Sequence, residues 1–392
     1  MRYLLGFTLV IIATVSHAEL RFAGSASVQQ RFFFQDAAYE FQTNSQVSLA
    51  AKPQFELDVG DNGYFTFTPF ARIDQRDSER THADVREALY SVFFDNWEFR
   101  AGIGRVFWGQ TESVHLVDII NQTDFVETIT NEEKLGQPLL DARYLLDTGY
   151  ISFYALPYFR ERTFPGLDGR LRGPYNISDD ALYESEDEET NLDFAVRWQQ
   201  SFGNLEFGLS YFDGTDRLPD FVPQITDGDI ELVPFYPQLQ QVGLDALYVF
   251  NGWLFKLEAL TGSRMDEDFS AAVAGFEFMH VNVFDSGYDL GYLVEYQYDE
   301  RDQNPYIYGQ NDIMVGARFV VNDFSGSEIL VAFIQDMDES SSYSAMIEAS
   351  TRLTSNWSIE VNGYFFSSDK EDDPLFYMRR DDHLMIQLEY FF

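Results

Sequence analysis

The stretch Trp97-Glu98-Phe99-Arg100-Ala101-Gly102-Ile103-Gly104, continued by Arg105-Val106-Phe107-Trp108-Gly109-Gln110-Thr111-Glu112-Ser113-Val114-His115-Leu116-Val117-Asp118-Ile119-Ile120, decides how the rest of the chain is read. Its first eight residues put Trp97, Phe99, Ala101 and Ile103 on one face and Glu98, Arg100, Gly102 and Gly104 on the other, the period-2 pattern of a wall between two environments. From Arg105 the alternation stops, and apolar residues at 114, 116, 117, 119 and 120 fit a short buried turn or helix. So much apolar surface in a loop needs a dry surface to lie on, and in a closed barrel that surface is the inside of the wall. The expected arrangement is a channel wall with a constriction loop over about 109–138, the alternative being a loop folded flat over the barrel mouth.

Outward from this stretch, segments of roughly ten to twelve residues recur, each alternating in polarity and each ended by a turn signal. They fall at 20–29, 46–58, 64–76, 84–94, 97–104, 139–146, 150–160, 191–200, 205–212, 238–250, 253–263, 269–284, 288–299, 311–321, 328–336, 343–353, 357–366 and 382–392. The fold class is therefore all-β, a transmembrane antiparallel β-barrel of about eighteen strands, with sixteen as the alternative count. The even-to-odd connections are short, as at 59–62, 95–96, 147–149, 202–204 and Asn251-Gly252, while nearly all the longer ones are odd-to-even. Short turns on one side and long loops on the other place both chain ends on the periplasmic side of a bacterial outer membrane. The long segments 161–190 and 213–237 read as outward loops.

Composition agrees with export. Arg2, an apolar run from Leu4 to Val15 and Ser16-His17-Ala18 have the layout of a signal peptide over 1–18, leaving 19–392 as one domain. No later stretch approaches the roughly 20 apolar residues of a spanning helix, although Phe alone numbers 38. There is no Cys, and a chain of 392 residues does not need disulfides to hold a fold. The net charge of −39 argues against nucleic acid as a partner and fits an anionic envelope of lipid and lipopolysaccharide when cations are present. The acidic run Asp179-Asp180, Glu184, Glu186, Asp187, Glu188 and Glu189 lacks the spacing of a dedicated Ca²⁺ loop, so no cofactor or metal is expected beyond loose divalent contacts at the outer loops.

The last strand carries Leu384, Ile386, Leu388, Tyr390 and Phe392 on one face. Its end resembles the carboxy-terminal signal through which outer-membrane barrels are received by their assembly machinery, which makes Leu388, Tyr390 and Phe392 the implied signal residues. The eighteen-strand pattern with a long third outward loop resembles the porin superfamily, in which that loop folds into the lumen. Gly104-Arg105 and Trp108-Gly109, with Asp118, Asn121 and Asp124 after them, are similar to a family of proteobacterial porin-like proteins. The near absence of lysine and of any substrate signature separates the chain from well-studied porins.

With the apolar face of each strand toward lipid, the other face lines the lumen. Arg72, Arg76, Arg100, Arg143, Arg160 and Arg197, from strands three to eight, then form a basic ladder. Asp245, Glu258, Glu277, Asp289, Glu295, Glu348, Glu360 and Glu389 form an acidic arc opposite, and Trp108, Glu112, His115, Asp118, Asp124 and Glu127 are the candidate constriction residues. Either the two sides set up a transverse field, or the arginines pair with Asp74, Glu98, Asp141 and Asp193 on adjacent strands; the two are compatible. Enzyme chemistry has little to stand on: no Gly-x-Ser-x-Gly, His-Glu-x-x-His or phosphate loop occurs, and His115 near Glu112 and Asp118 is the sole pairing of interest. The expected function is passive diffusion of small hydrophilic solutes through an outer-membrane channel. A plugged binding or structural barrel is the alternative, and an envelope enzyme the third reading. The oligomeric state is not legible.

Overall fold

A computed structural model describes residues 19–226, 228–301, 307 and 309–392; the expected export segment 1–18 lies outside the described residues. Eighteen strands form the wall: β1 (Leu20–Phe33), β2 (Ser45–Val59), β3 (Gly63–Asp74), β4 (His82–Phe94), β5 (Trp97–Gly104), β6 (Gln137–Leu146), β7 (Gly149–Leu156), β8 (Asp193–Phe202), β9 (Leu205–Thr215), β10 (Gln238–Phe250), β11 (Trp253–Arg264), β12 (Glu267–His280), β13 (Asp289–Asp299), β14 (Asn311–Val320), β15 (Glu328–Asp336), β16 (Tyr343–Arg352), β17 (Trp357–Ser367) and β18 (His383–Phe391). Each pairs antiparallel with the next, and β18 returns to β1 from Ser25↔Phe391 to Phe33↔His383, closing the sheet. Closure removes both edges, so no strand is left offering unpaired backbone groups to lipid.

Sidedness follows the alternation. In β3, Thr66, Thr68, Phe70, Arg72 and Asp74 are buried inside the barrel, whereas Ile73 on the outer face is 66% exposed, and Leu49 of β2 (53%) and Leu140 of β6 (54%) are likewise open. Large apolar side chains left open on the outer face are stable only against hydrocarbon. At the short-turn end the rings cluster, with Trp97 on Phe99 and Tyr144, Trp253 on Phe255 and Phe278, and Trp357 on Tyr390, in the manner of an aromatic girdle. Asn251 (φ 47°) and Gly252 (φ 84°) make a two-residue turn that needs positive φ at both positions.

Three features depart from the sequence reading. The third outward connection runs from 105 to 136 and is a series of turns without a helix. The segments read as loops at 161–190 and 213–237 carry a small sheet, in which the hairpin of Asp220–Thr226 and Asp229–Tyr236 is joined by Asn176–Ile177 and Leu182–Tyr183. The Asp227-Gly228 dipeptide between two alternating runs was the available signal for that hairpin. Finally, Arg76 and Arg160 lie beyond the ends of β3 and β7, because Asp74 and Leu156 terminate those strands; neither belongs to a lumen ladder.

The closing seam is tight at Gly24. Its backbone exchanges hydrogen bonds with Phe392 in both directions at 3.1 Å, and the Phe392 ring lies 5.2 Å from that of Phe22. A Cβ on Gly24 would fall 2.6 Å from the Pro53 Cα and 3.1 Å from the Phe392 ring. Since the Pro53 backbone cannot yield without opening the β1–β2 ladder, Gly24→Val should sharply lower the fraction of heat-modifiable, folded barrel seen on electrophoresis; a wild-type fraction would mean that the seam is not the weak point.

Candidate functional site

The loop at 105–136 turns inward because one side of the wall is apolar on its inner face. Leu89 of β4, Leu139 of β6, Tyr154 and Leu156 of β7, Ala195 of β8, Phe212 of β9, Leu239 of β10, Leu260 of β11 and Phe269 and Ala271 of β12 all point inward, and Val106, Trp108, Val117 and Ile120 of the loop are buried on them. Burying side chains of this size contributes roughly 1.5–3 kcal/mol each. Trp108, 1% exposed, packs edge-on to Tyr154 and under the guanidinium of Arg197.

Polar contacts fix the loop's position on this surface. Glu258 of β11, fully buried, accepts from the backbone N–H of Gln110 (2.7 Å), Thr111 (3.1 Å) and Val117 (3.2 Å) and from the Thr111 hydroxyl (2.7 Å). Glu295 of β13, also fully buried, takes the N–H groups of Glu112 (2.9 Å) and Ser113 (2.8 Å) and the Ser113 hydroxyl (2.6 Å). At the neck, the Asn121 side chain accepts from Val106 N–H and donates to the carbonyls of Gly104 and Leu135, tying the loop's two ends together. Arg217 donates to the Ile120 carbonyl, and Glu112 meets Arg318 of β14 at 2.6 Å and Lys256 of β11 at 3.5 Å.

The far end of the loop is held by arginines. Arg72 forms a two-pronged contact with Glu127, Nε to Oε1 at 2.7 Å and Nη2 to Oε2 at 2.7 Å. Between β3 and β4 the register shifts, Thr68 facing Glu87 and Pro69 facing Val85, so Arg86 is the extra residue of a bulge. The bulge turns Arg86 toward Asp124, with Asp84 as its second partner. Burial alone would raise the Asp124 carboxyl, but His82 and Arg86 overcome it and hold it at about 2. His82, Asp124 and Glu127 have the spacing of a metal triad. Arg86 and Arg72 already compensate both of its carboxylates, so the chemistry of the cluster is that of an ion-pair anchor.

The same compensation runs through the ladder. Arg100 pairs with Asp141 and Arg143 with Glu98, as adjacent-strand pairing anticipates; Arg197 goes instead to Asp245 of β10 (2.7 Å). Asp74 is taken by Arg80 and Asp193 by Arg217, two arginines that the period-2 reading passed over because they sit just beyond strand ends. Arg160 binds Asp84 and the Gly136 carbonyl outside the lumen face. His115 faces Glu258 rather than Glu112, and Asp118 is engaged by Trp108 N–H and Lys134.

With the loop on the β5–β12 side, open space remains beside β1–β3 and β14–β18. It consists of a vestibule of about 300 Å³ at the long-loop end and a chamber of about 430 Å³ extending below it. The two share Ile129, Thr130, Glu132, Glu348 and Tyr364 as lining, which marks the waist between them. Tyr364 donates to Glu348 at 3.0 Å. Enclosure in the lumen, followed by the facing Glu348 carboxylate, pushes the Glu132 carboxyl above its ordinary range. Glu132 and Glu348 were reachable from sequence only in part: Glu348 stood in the acidic arc, whereas Glu132 follows the irregular part of the loop.

No protein-family model and no curated protein sequence matches the chain. Solved structures do match it along nearly its whole length. A BenF-like porin from Pseudomonas fluorescens Pf-5 is similar over 96% of this chain and 98% of its own, at 8% identity and a TM-score of 0.57. OmpT, an outer membrane protein of Vibrio cholerae, is similar over 96% and 100%, at 10% identity and a TM-score of 0.50. The chain thus has the fold of outer-membrane porins, a closed antiparallel barrel of eighteen strands.

Two outcomes follow from the anchors. Glu258→Ala strands three backbone donors, a cost of about 3 kcal/mol, so hydrogen exchange at Gln110, Thr111 and Val117 should quicken about 100-fold while the strands stay protected; unchanged protection would mean that packing alone holds the loop. Asp124 is depressed, so its contribution is complete above the ordinary carboxylate range and is lost as pH falls through about 2. The stability gap between wild type and Asp124→Asn, about 2 kcal/mol while His82 carries its proton, should hold through mildly acidic solution down to the ordinary carboxylate range and shrink only below that in urea titrations.

Proposed function

We propose that the chain is an exported outer-membrane channel for passive diffusion of small hydrophilic solutes, with a preference for cations. The observation that carries this reading is the waist, where vestibule and chamber meet at Glu132 and Glu348 and, among the described residues, no lysine or arginine lies within ion-pair distance of either. Of the other charges lining the chamber, Arg72 is neutralised by Glu127, Arg86 by Asp124 and Arg318 by Glu112. Glu133, Glu328, Glu360 and Glu389 line the same chamber with Lys52 and Arg31. Fields from charges at a narrow, poorly hydrated passage persist, whereas those from exposed charges fade beyond about 10 Å at ~0.1 M salt. Selectivity is therefore set at the waist and not by the acidic outer loops.

The plugged-barrel reading has the pinned loop in its favour, and conductance in a planar bilayer separates it, since a plugged barrel carries no current. An enzymatic reading is weaker. His115 is held between the Phe107 ring and Glu258, and the nearby Thr111 and Ser113 hydroxyls donate to Glu258 and Glu295, which leaves no activated nucleophile beside the imidazole. Lipid, lipopolysaccharide and the barrel assembly machinery are the partners this reading requires, the last through Leu388, Tyr390 and Phe392.

Reversal potentials under a salt gradient test the reading. Glu132→Gln with Glu348→Gln should cut cation preference severalfold, and neutralising Glu186 to Glu189 should matter little except at low salt. Acidification should erode the preference from above the usual glutamate range downward, because Glu132 takes up its proton early. A larger effect from the outer-loop substitutions would place the selectivity filter away from the waist.

A further inference from the structure

A water-filled lumen calls for polar side chains at inward positions. Above the waist this chain breaks the rule on four consecutive strands: Met314 of β14, Ile334 of β15, Met346 of β16 and Phe366 of β17 all face inward. Leu116 and Ile119 of the pinned loop line the same vestibule. Part of this surface is consumed by packing. Met314 is fully buried against Leu293 and Ala332, and Phe366 sits with Met378 of the β17–β18 connection. Ile334 and Met346 stay half-exposed, so an apolar strip is left open to the cavity.

Around the vestibule, among the described residues, carboxylates lack a base at two places, at the buried Asp312 of β14 and at the floor. Lys134 is bound to Asp118 (3.2 Å), Arg217 to Asp193 (2.7 Å) and Arg301 to Asp299 (2.7 Å), so these bases have their counter-ions. Glu132 and Glu348, at the floor, have no base within ion-pair distance among the described residues. An apolar strip ending in two carboxylates is complementary to one shape of solute. An anion is repelled by the floor, a fully apolar molecule leaves the carboxylates hydrated and gains nothing there, and a small inorganic cation makes no use of the strip.

Resting on the channel reading above, we infer that the vestibule selects amphiphilic organic cations, with an ammonium group directed to Glu132 and Glu348 and an aromatic or branched apolar body on Ile334 and Met346. Methionine suits such a surface because its unbranched, polarisable side chain adapts to bodies of different outline. The contact is shallow, as passage requires: a solute must be held strongly enough to enter and weakly enough to leave.

The test uses the purified full-length barrel in planar bilayers, with phenethylammonium and methylammonium as probes carrying the same head group. Wild type should pass phenethylammonium at least as readily as the smaller methylammonium in bi-ionic zero-current measurements. Ile334→Thr with Met346→Gln should lower that permeability ratio about fourfold, the scale of one methylene-sized apolar contact, with K⁺ conductance kept. An unchanged ratio with normal K⁺ conductance would overturn the inference and leave the channel reading standing; absence of K⁺ current through the wild type would overturn both. If the double variant does not fold, the wild type still decides: phenethylammonium should reduce K⁺ current at concentrations where methylammonium does not, and equal effects would overturn the inference.

Discussion

A carboxylate sealed from water must be given donors, and Glu258 receives them from the backbone of a single loop. Much else depends on this contact. The N–H groups of an irregular segment would otherwise need water, which the apolar wall beneath them excludes. The same bonds therefore let the loop stay irregular and supply the buried Glu258 with donors, beside the His115 ring that faces it. Glu295 repeats the arrangement two strands further on, so the loop is registered against β11 and β13 at two points and cannot slide along the wall. The outcome is a lumen divided lengthwise, with a dry, packed half over β5–β12 and a wet half beside β1–β3 and β14–β18.

Charge is compensated unevenly. Away from the waist, arginines and carboxylates meet in pairs, Arg72 with Glu127, Arg86 with Asp124 and Arg197 with Asp245, and their fields largely cancel at short range. Such buried pairs are costly to break yet contribute modestly to net stability, so their role is to fix position more than to hold the barrel together. On the wet side, Glu132 and Glu348 remain uncompensated. A chain with a charge of −39 has acid to spare everywhere, but only where walls are close and water scarce does it act on a passing ion.

The barrel was legible from sequence because its signal is repeated eighteen times: each strand alternates, and the short and long connections alternate as well. The inward course of the loop was legible from Val114, Leu116, Val117, Ile119 and Ile120, too apolar a set for a solvated segment. Pairing partners were less so. Arg80 and Arg217 lie two residues outside a strand, where period 2 no longer says which way a side chain points, yet they capture Asp74 and Asp193. Arg76 and Arg160 failed for the same reason in reverse, alternation having been extended past the true strand ends. The bulge at Arg86 is marked in the sequence only by Pro69 on the facing strand, which has no N–H for the ladder, and the waist depends on Glu132, whose position is set by tertiary contacts of the loop.

The chain has no cysteine, so a single one introduced at Thr130 reports on the waist without background. The decisive measurement is the rate at which that thiol is modified in an open bilayer-inserted barrel by a cationic and by an anionic thiosulfonate of similar size. The account predicts that both reagents reach it and reduce the current, the cationic one at least about tenfold faster because Glu132 and Glu348 draw it in. A thiol that neither reagent reaches from either side, or one that the anionic reagent modifies as fast, would contradict an acidic passage between the loop and β14–β18.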